Sequence, residues 1–120
     1  MKIPKPSSGA VKLFEELTPR EASVSTRLVF GQPAAFTNGN MFFGVFGEKV
    51  FVRLSEADRT EALRKPGFTT FEPMPGRAMS EYMVLPRSLV RDPGRAKEWV
   101  ARSLNYAVSL PVKQPKGKTK

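Results

Sequence analysis

The sequence predicts one two-layer α+β domain, an antiparallel sheet with helices grouped on one face, in the order α-β4-α-β2-α. Three observations predict it. Apolar residues recur at helical spacing near both ends of the chain. Two two-residue turn signals, Asn38-Gly39 and Gly47-Glu48, sit between apolar runs in the middle. At 120 residues without a repeat, the chain has the length of one ordinary domain.

The expected organisation is a disordered lead-in over residues 1–9, a domain over 10–110, and a basic disordered tail over 111–120. Ala10, Val11, Phe14 and Leu17, joined by Leu13, form the stripe of a first helix that Thr18 and Pro19 end. Val24, Thr26, Leu28 and Phe30 alternate with Ser25 and Arg27, the pattern of a half-buried strand. Asn38-Gly39 suits a type I′ turn, which needs positive φ at both central residues. Gly47-Glu48 marks a second tight hairpin.

Counting outward from these turns pairs Phe36 with Met41, Val45 with Val50, Phe43 with Val52, and Met41 with Leu54. Those residues make a wholly apolar core face. The opposite face collects Ala35, Phe42 and Arg53 in one row, then Gly44 and Phe51, with Phe46 and Lys49 at the turn. Gly44 across from Phe51 leaves bare backbone for the ring to cover.

Ser55 caps a helix beginning near Glu56, with Asp58 at the reciprocal position. It stops before Pro66-Gly67. Phe68 to Phe71 reads as a brief strand, and Met79, Glu81, Met83 and Leu85 lie along one side of a last strand stopped by Pro86. If that side faces the core, the Glu81 carboxylate needs a partner such as an Arg, or the strand is twisted there. The final helix runs from Pro93 or Gly94 to about Ser109, with a stripe of Ala96, Trp99, Val100, Ser103, Leu104, Ala107 and Val108.

Composition narrows the chemistry. The chain has neither Cys nor His. That removes disulfides, thiolate nucleophiles, the usual zinc ligand sets and the commonest general base near neutral pH. The remaining acidic arrangements are Glu15-Glu16, Glu56 with Asp58, and Glu81 beside Tyr82, each of which has a structural reading such as the first turn of a helix. No catalytic residue, cofactor, metal or small-molecule substrate is expected, so the expectation is a non-enzyme. No run approaches the ~18 apolar residues of a membrane span, and Met1 to Ser8 lacks the apolar segment of a signal peptide. A cytoplasmic location and no membrane partner follow as expectations.

The net charge of +9 is uneven. Lys2, Lys5, Lys113, Lys116, Lys118 and Lys120 stand at the two ends. The other fourteen basic residues against eleven acidic ones leave the body at +3. Lys113, Lys116, Lys118 and Lys120 are therefore either a solubilising end or a weak, sequence-independent nucleic-acid arm.

One further surface could recognise a partner. Phe42, Phe46 and Phe51, rimmed by Lys49 and Arg53, place aromatics and cations together on the outer sheet face, the composition of a protein-binding patch or a homodimer contact. Arg53 beside Phe42 invites a cation–π contact. A covering helix, tail or second copy is the structural alternative. The aromatic spacing does not reproduce an RNA-recognition signature.

Several strings in order resemble the TfoX N-terminal domain family. They are Val29-Phe30-Gly31, Asn38-Gly39-Asn40-Met41-Phe42, Val50-Phe51-Val52-Arg53-Leu54, Met79-Ser80-Glu81-Tyr82 leading to Leu85-Pro86, and Trp99 followed by Ala101 and Ala107. They span about residues 11–108. The family usually has a second Gly after the Phe-Gly, where this chain has Gln32. The resemblance implies a stand-alone TfoX N-terminal-type domain, an α+β fold similar to type III secretion chaperones, and an accessory role in transcription regulation of the competence-regulator kind. It implies no catalytic residue set.

Overall fold

The computed structural model describes residues 5–74 and 76–113, with the backbone alone at Arg77. It contains α1 (Ser8–Leu17), β1 (Val24–Val29), β2 (Gln32–Thr37), β3 (Asn40–Phe46), β4 (Lys49–Arg53), α2 (Glu56–Leu63), β5 (Thr69–Met74), β6 (Arg77–Val84), α3 (Arg87–Val90) and α4 (Pro93–Ser109). The α+β class holds, with six antiparallel strands in the order β1-β2-β3-β4-β6-β5. The short α3 adds a fourth helix to the expected three.

Local chemistry explains the element ends. Ser7 caps α1 by accepting from the Ala10 N–H at 3.0 Å. The helix thus starts two residues before the expected Ala10, inside the segment read as lead-in. Ser55 caps α2 through the Asp58 N–H, as expected, and Asp92 caps α4, with Pro93 as its first residue.

The helices pack against one sheet face. Phe14 and Leu17 of α1, Ala62 of α2, Leu89 of α3, and Trp99, Val100 and Leu104 of α4 close over Phe43, Val45, Val50, Val52, Leu54 and Met83. Phe14 stacks on Phe43 with ring centroids 4.9 Å apart. Arg102 fastens α4 to α2 by pairing with Asp58 at 3.3 Å and Glu61 at 3.1 Å, over the Trp99 ring. Val108, which was expected in the buried stripe, is half exposed.

The tight turns set the register. Asn38 and Gly39 both have positive φ, and Gly47 does at the next turn. Val45–Val50, Phe43–Val52 and Phe36–Met41 pair as expected. The sequence reading missed a bulge. The β2–β3 pairing steps from Ala35–Phe43 to Phe36–Met41, so Phe42 is an extra residue on β3.

That insertion turns Phe42 and Phe43 both into the main core. Ala35, expected on the outer face, is buried in the core beside them. Phe36 and Met41, expected in the core, lie on the outer face instead. Ser103 of α4 serves the irregularity, donating to the Phe42 carbonyl and accepting from the Arg53 N–H at 3.1 Å.

β1 departs from the half-buried pattern, because it is a sheet edge. Leu28 is 68% exposed, and Phe30, expected in the strand but placed in the turn after it, is 63% exposed. β1 and β2 join through a two-residue turn, Phe30-Gly31, with φ of 55° and 78°. The departure at Gln32 is buried, and its Oε1 accepts from the Gly47 N–H at 2.5 Å. It ties the β1–β2 turn to the β3–β4 turn.

Candidate functional site

The sheet curls sharply about its outer face. Phe46 of β3 and Phe71 of β5 lie three strands apart, about 14 Å in a flat sheet. Their ring centroids are only 5.5 Å apart. Two register breaks in the β5–β6 pairing help the hairpin fold over. The result is a second, smaller apolar cluster of Phe51, Phe71 and Tyr82, with Met41, Phe46, Met79 and Val84 packed against it.

This architecture disperses the expected partner-binding set. Phe42 belongs to the main core because of the bulge. Phe51 is 4% exposed, stacked on Phe71 at 4.4 Å and edge-on to Tyr82 at 5.8 Å, so its cover is this chain's own hairpin. Gly44 provides the bare backbone beneath it, where an added Cβ would stand 2.7 Å from the Phe51 Cζ. Phe46 is half-buried against Phe71, and Lys49 is exposed at the turn. Arg53 does not meet Phe42. Its guanidinium lies 5.5 Å from the Tyr82 ring and 5.9 Å from the Tyr106 ring, and it pairs with Glu81 at 2.6 Å. Of the two alternatives for Glu81, the arginine partner is present.

What the outer face leaves open is a groove of about 740 Å³ on its concave side. Phe36, Met41, Met79 and Tyr82 are apolar or aromatic parts of its lining, and Arg27, Arg53 and Lys113 are its cations. Phe30 stands at the shared wall between this groove and a smaller, adjoining cavity of about 150 Å³. Arg27 lies 4.0 Å over the Phe36 ring. Tyr82 donates its hydroxyl to the Met41 carbonyl at 2.9 Å. Burial, above all, pushes the Tyr82 phenol above the ordinary tyrosine value, against the opposing pull of Arg53.

The start of the expected tail is docked. The Asn40 side chain donates to the Pro111 carbonyl at 3.0 Å, and the Lys113 N–H donates to the Asn38 carbonyl at 2.8 Å. Residues 111–113 therefore lie along the β2–β3 turn and bring Lys113 to the groove. Lys116, Lys118 and Lys120, expected as a nucleic-acid arm with Lys113, lie outside the described residues.

Sequence reasoning missed Phe36, Met41, Phe30 and Arg27 as groove residues. The unalternating run Met41-Phe42-Phe43 was the available signal for a bulge. The Phe30-Gly31 pair was a poor turn signal, since a bulky residue at positive φ is rare. Among the described residues no group of three or more His, Cys, Asp or Glu comes together as a metal-binding set. None of their helices is long and apolar enough to cross a membrane.

Fold and groove define a small α+β domain with a recessed, basic-rimmed sheet face. The family model of the TfoX N-terminal domain matches residues 14–107, and the chain belongs to that family. No curated protein and no solved structure matches the chain.

Proposed function

We propose that this domain is a non-enzymatic, cytoplasmic protein-interaction module that binds an acidic, apolar-anchored segment of a partner along the concave sheet face. An accessory role in transcription regulation is the use that the family resemblance favours. One observation carries the binding reading. Phe30 holds a left-handed backbone conformation at φ 55° while its ring is 63% exposed at the groove wall. A left-handed residue with a Cβ costs about 1–2 kcal/mol, and Asn is better tolerated there. An exposed aromatic at such a position sacrifices stability without gaining burial, which is expected of a contact residue.

The Arg27 and Lys113 side chains support a negatively charged occupant, Arg53 being already paired with Glu81, and the apolar lining supports hydrophobic anchors. Phe30→Asn is the direct test. It should raise stability by about 1 kcal/mol and weaken binding to acidic, aliphatic-rich peptides selected from a display library. Stability gained with every peptide affinity retained would remove the groove as the binding surface. The alternative, a nucleic acid held by Lys113 and the lysines after it, predicts affinity that falls steeply with salt and is lost with residues 113–120.

A further inference from the structure

We propose that the free edge of β1 accepts an added antiparallel strand from a partner protein, with the pattern apolar–acidic–apolar. This rests on reading the domain as a protein-interaction module and specifies how the partner is held.

The two edges of the sheet differ. β5 carries Pro73, which lacks an N–H, and its pairing breaks register twice. β1 pairs with β2 over six consecutive residues without a break, and contains neither Pro nor Lys. Arg27 is its one charged residue, so charge is the only usual protection of an edge that it carries, and it selects against a like charge rather than against pairing as such.

The register fixes which groups face outward. A two-residue turn closes on a hydrogen-bonded pair, here Val29–Gln32, so Val29, Arg27 and Ser25 direct their backbone groups to β2. Val24, Thr26 and Leu28 direct theirs away. The Val24 N–H agrees with this parity, since it donates to the Glu21 carbonyl at 3.0 Å. The backbone N–H and C=O of Thr26 and Leu28 have no partner among the described residues outside β1–β2 pairing.

Grooves flank this edge on both sides. Between α1 and β1 lies one of about 480 Å³ whose lining includes Val11, Phe14, Leu28 and Pro33. The concave groove lies on the other side, with Arg27 at its margin. Partner residues opposite Thr26 and Leu28 would project toward α1, where apolar side chains fit. The residue between them, opposite Arg27, would project to the concave side. Arg27 has no ion-pair partner among the described residues, and an opposite charge across the strands is favourable. Main-chain bonds would hold the segment while alternate side chains select it.

A second copy fits this edge poorly. Aligning Thr26 with Leu28 of another copy uses all four free groups but sets Arg27 directly against its own counterpart. Aligning Thr26 with Thr26 places Leu28 opposite Val24, whose N–H already serves Glu21. A partner strand has neither conflict.

The test uses the full chain and a capped peptide, Thr-Val-Glu-Val-Thr, with a second peptide carrying Lys at its centre. Binding of the first should slow hydrogen exchange at the Thr26 and Leu28 amides by about tenfold or more at saturation. Arg27→Glu should weaken that peptide by about five- to tenfold and favour the Lys peptide instead. Unchanged exchange at both amides, absence of binding, or a charge swap without effect would overturn strand addition. Self-association that protects the same amides, seen by sedimentation, would overturn the choice of partner. Signals from Met41 and Met79 that shift without protection at Thr26 and Leu28 would remove strand addition while leaving the concave-face reading intact.

Discussion

Replacing Phe51 with alanine decides whether the aromatic cluster on the outer face is structure or contact surface. The ring is 4% exposed, parallel to Phe71 within 9° at 4.4 Å, and edge-on to Tyr82. It also covers Gly44, which has no side chain to fill the space. Truncating a buried Phe removes its transfer free energy and leaves a cavity, about 3–5 kcal/mol together. The aromatic contacts contribute part of this, at about 0.5–1.5 kcal/mol per pair. A typical domain has a total stability of about 5–15 kcal/mol. Phe51→Ala should therefore lose a large share of it and lower the midpoint by about 10–20 °C. Urea and thermal unfolding measure the loss, and sedimentation velocity measures association in the same samples. A loss below about 1 kcal/mol with altered association would refute the reasoning, because the ring's cover would then be another molecule.

Two other substitutions probe the features that shape the sheet. Ser103→Ala leaves the Phe42 carbonyl and the Arg53 N–H without their shared hydroxyl and should cost about 1–3 kcal/mol; a neutral result in urea unfolding would show that the bulge does not depend on α4. Tyr82 has a raised pKa when folded, so the unfolded chain releases its proton first as pH climbs. Its contribution is complete below the unfolded value of about 10 and is lost as pH rises through the folded value. Stability should fall above about pH 10, and Tyr82→Phe should flatten that decline; an unchanged slope would point to other groups.

The elements were legible where one local rule dominated. Asn38-Gly39 announced its turn, Ser55 its cap, and the Trp99–Leu104 stripe its buried helix face, because each depends on neighbours in sequence. The face assignment failed at Phe42 for a different reason. Turn-based counting assumes unbroken alternation, and a single bulge reverses the side of every residue between it and the next irregularity. Phe36 and Met41 kept their expected pairing and moved together to the other face. The groove was invisible for a related reason: it exists only because the β5–β6 hairpin curls over, which no short window reports. Arg27 and Phe30 read as ordinary strand residues until the topology made β1 an edge.

The unequal edges limit how this molecule can polymerise. A filament built by strand pairing needs a repeating contact that uses both edges of each copy, β1 and then β5. Pro73 and the broken register deny the second half of that contact. Pairing at β1 therefore has no equivalent continuation at the other edge of the same sheet. Among the described residues no repeating edge-to-edge path leads to a fibre, and β1 can stay uncovered without that hazard.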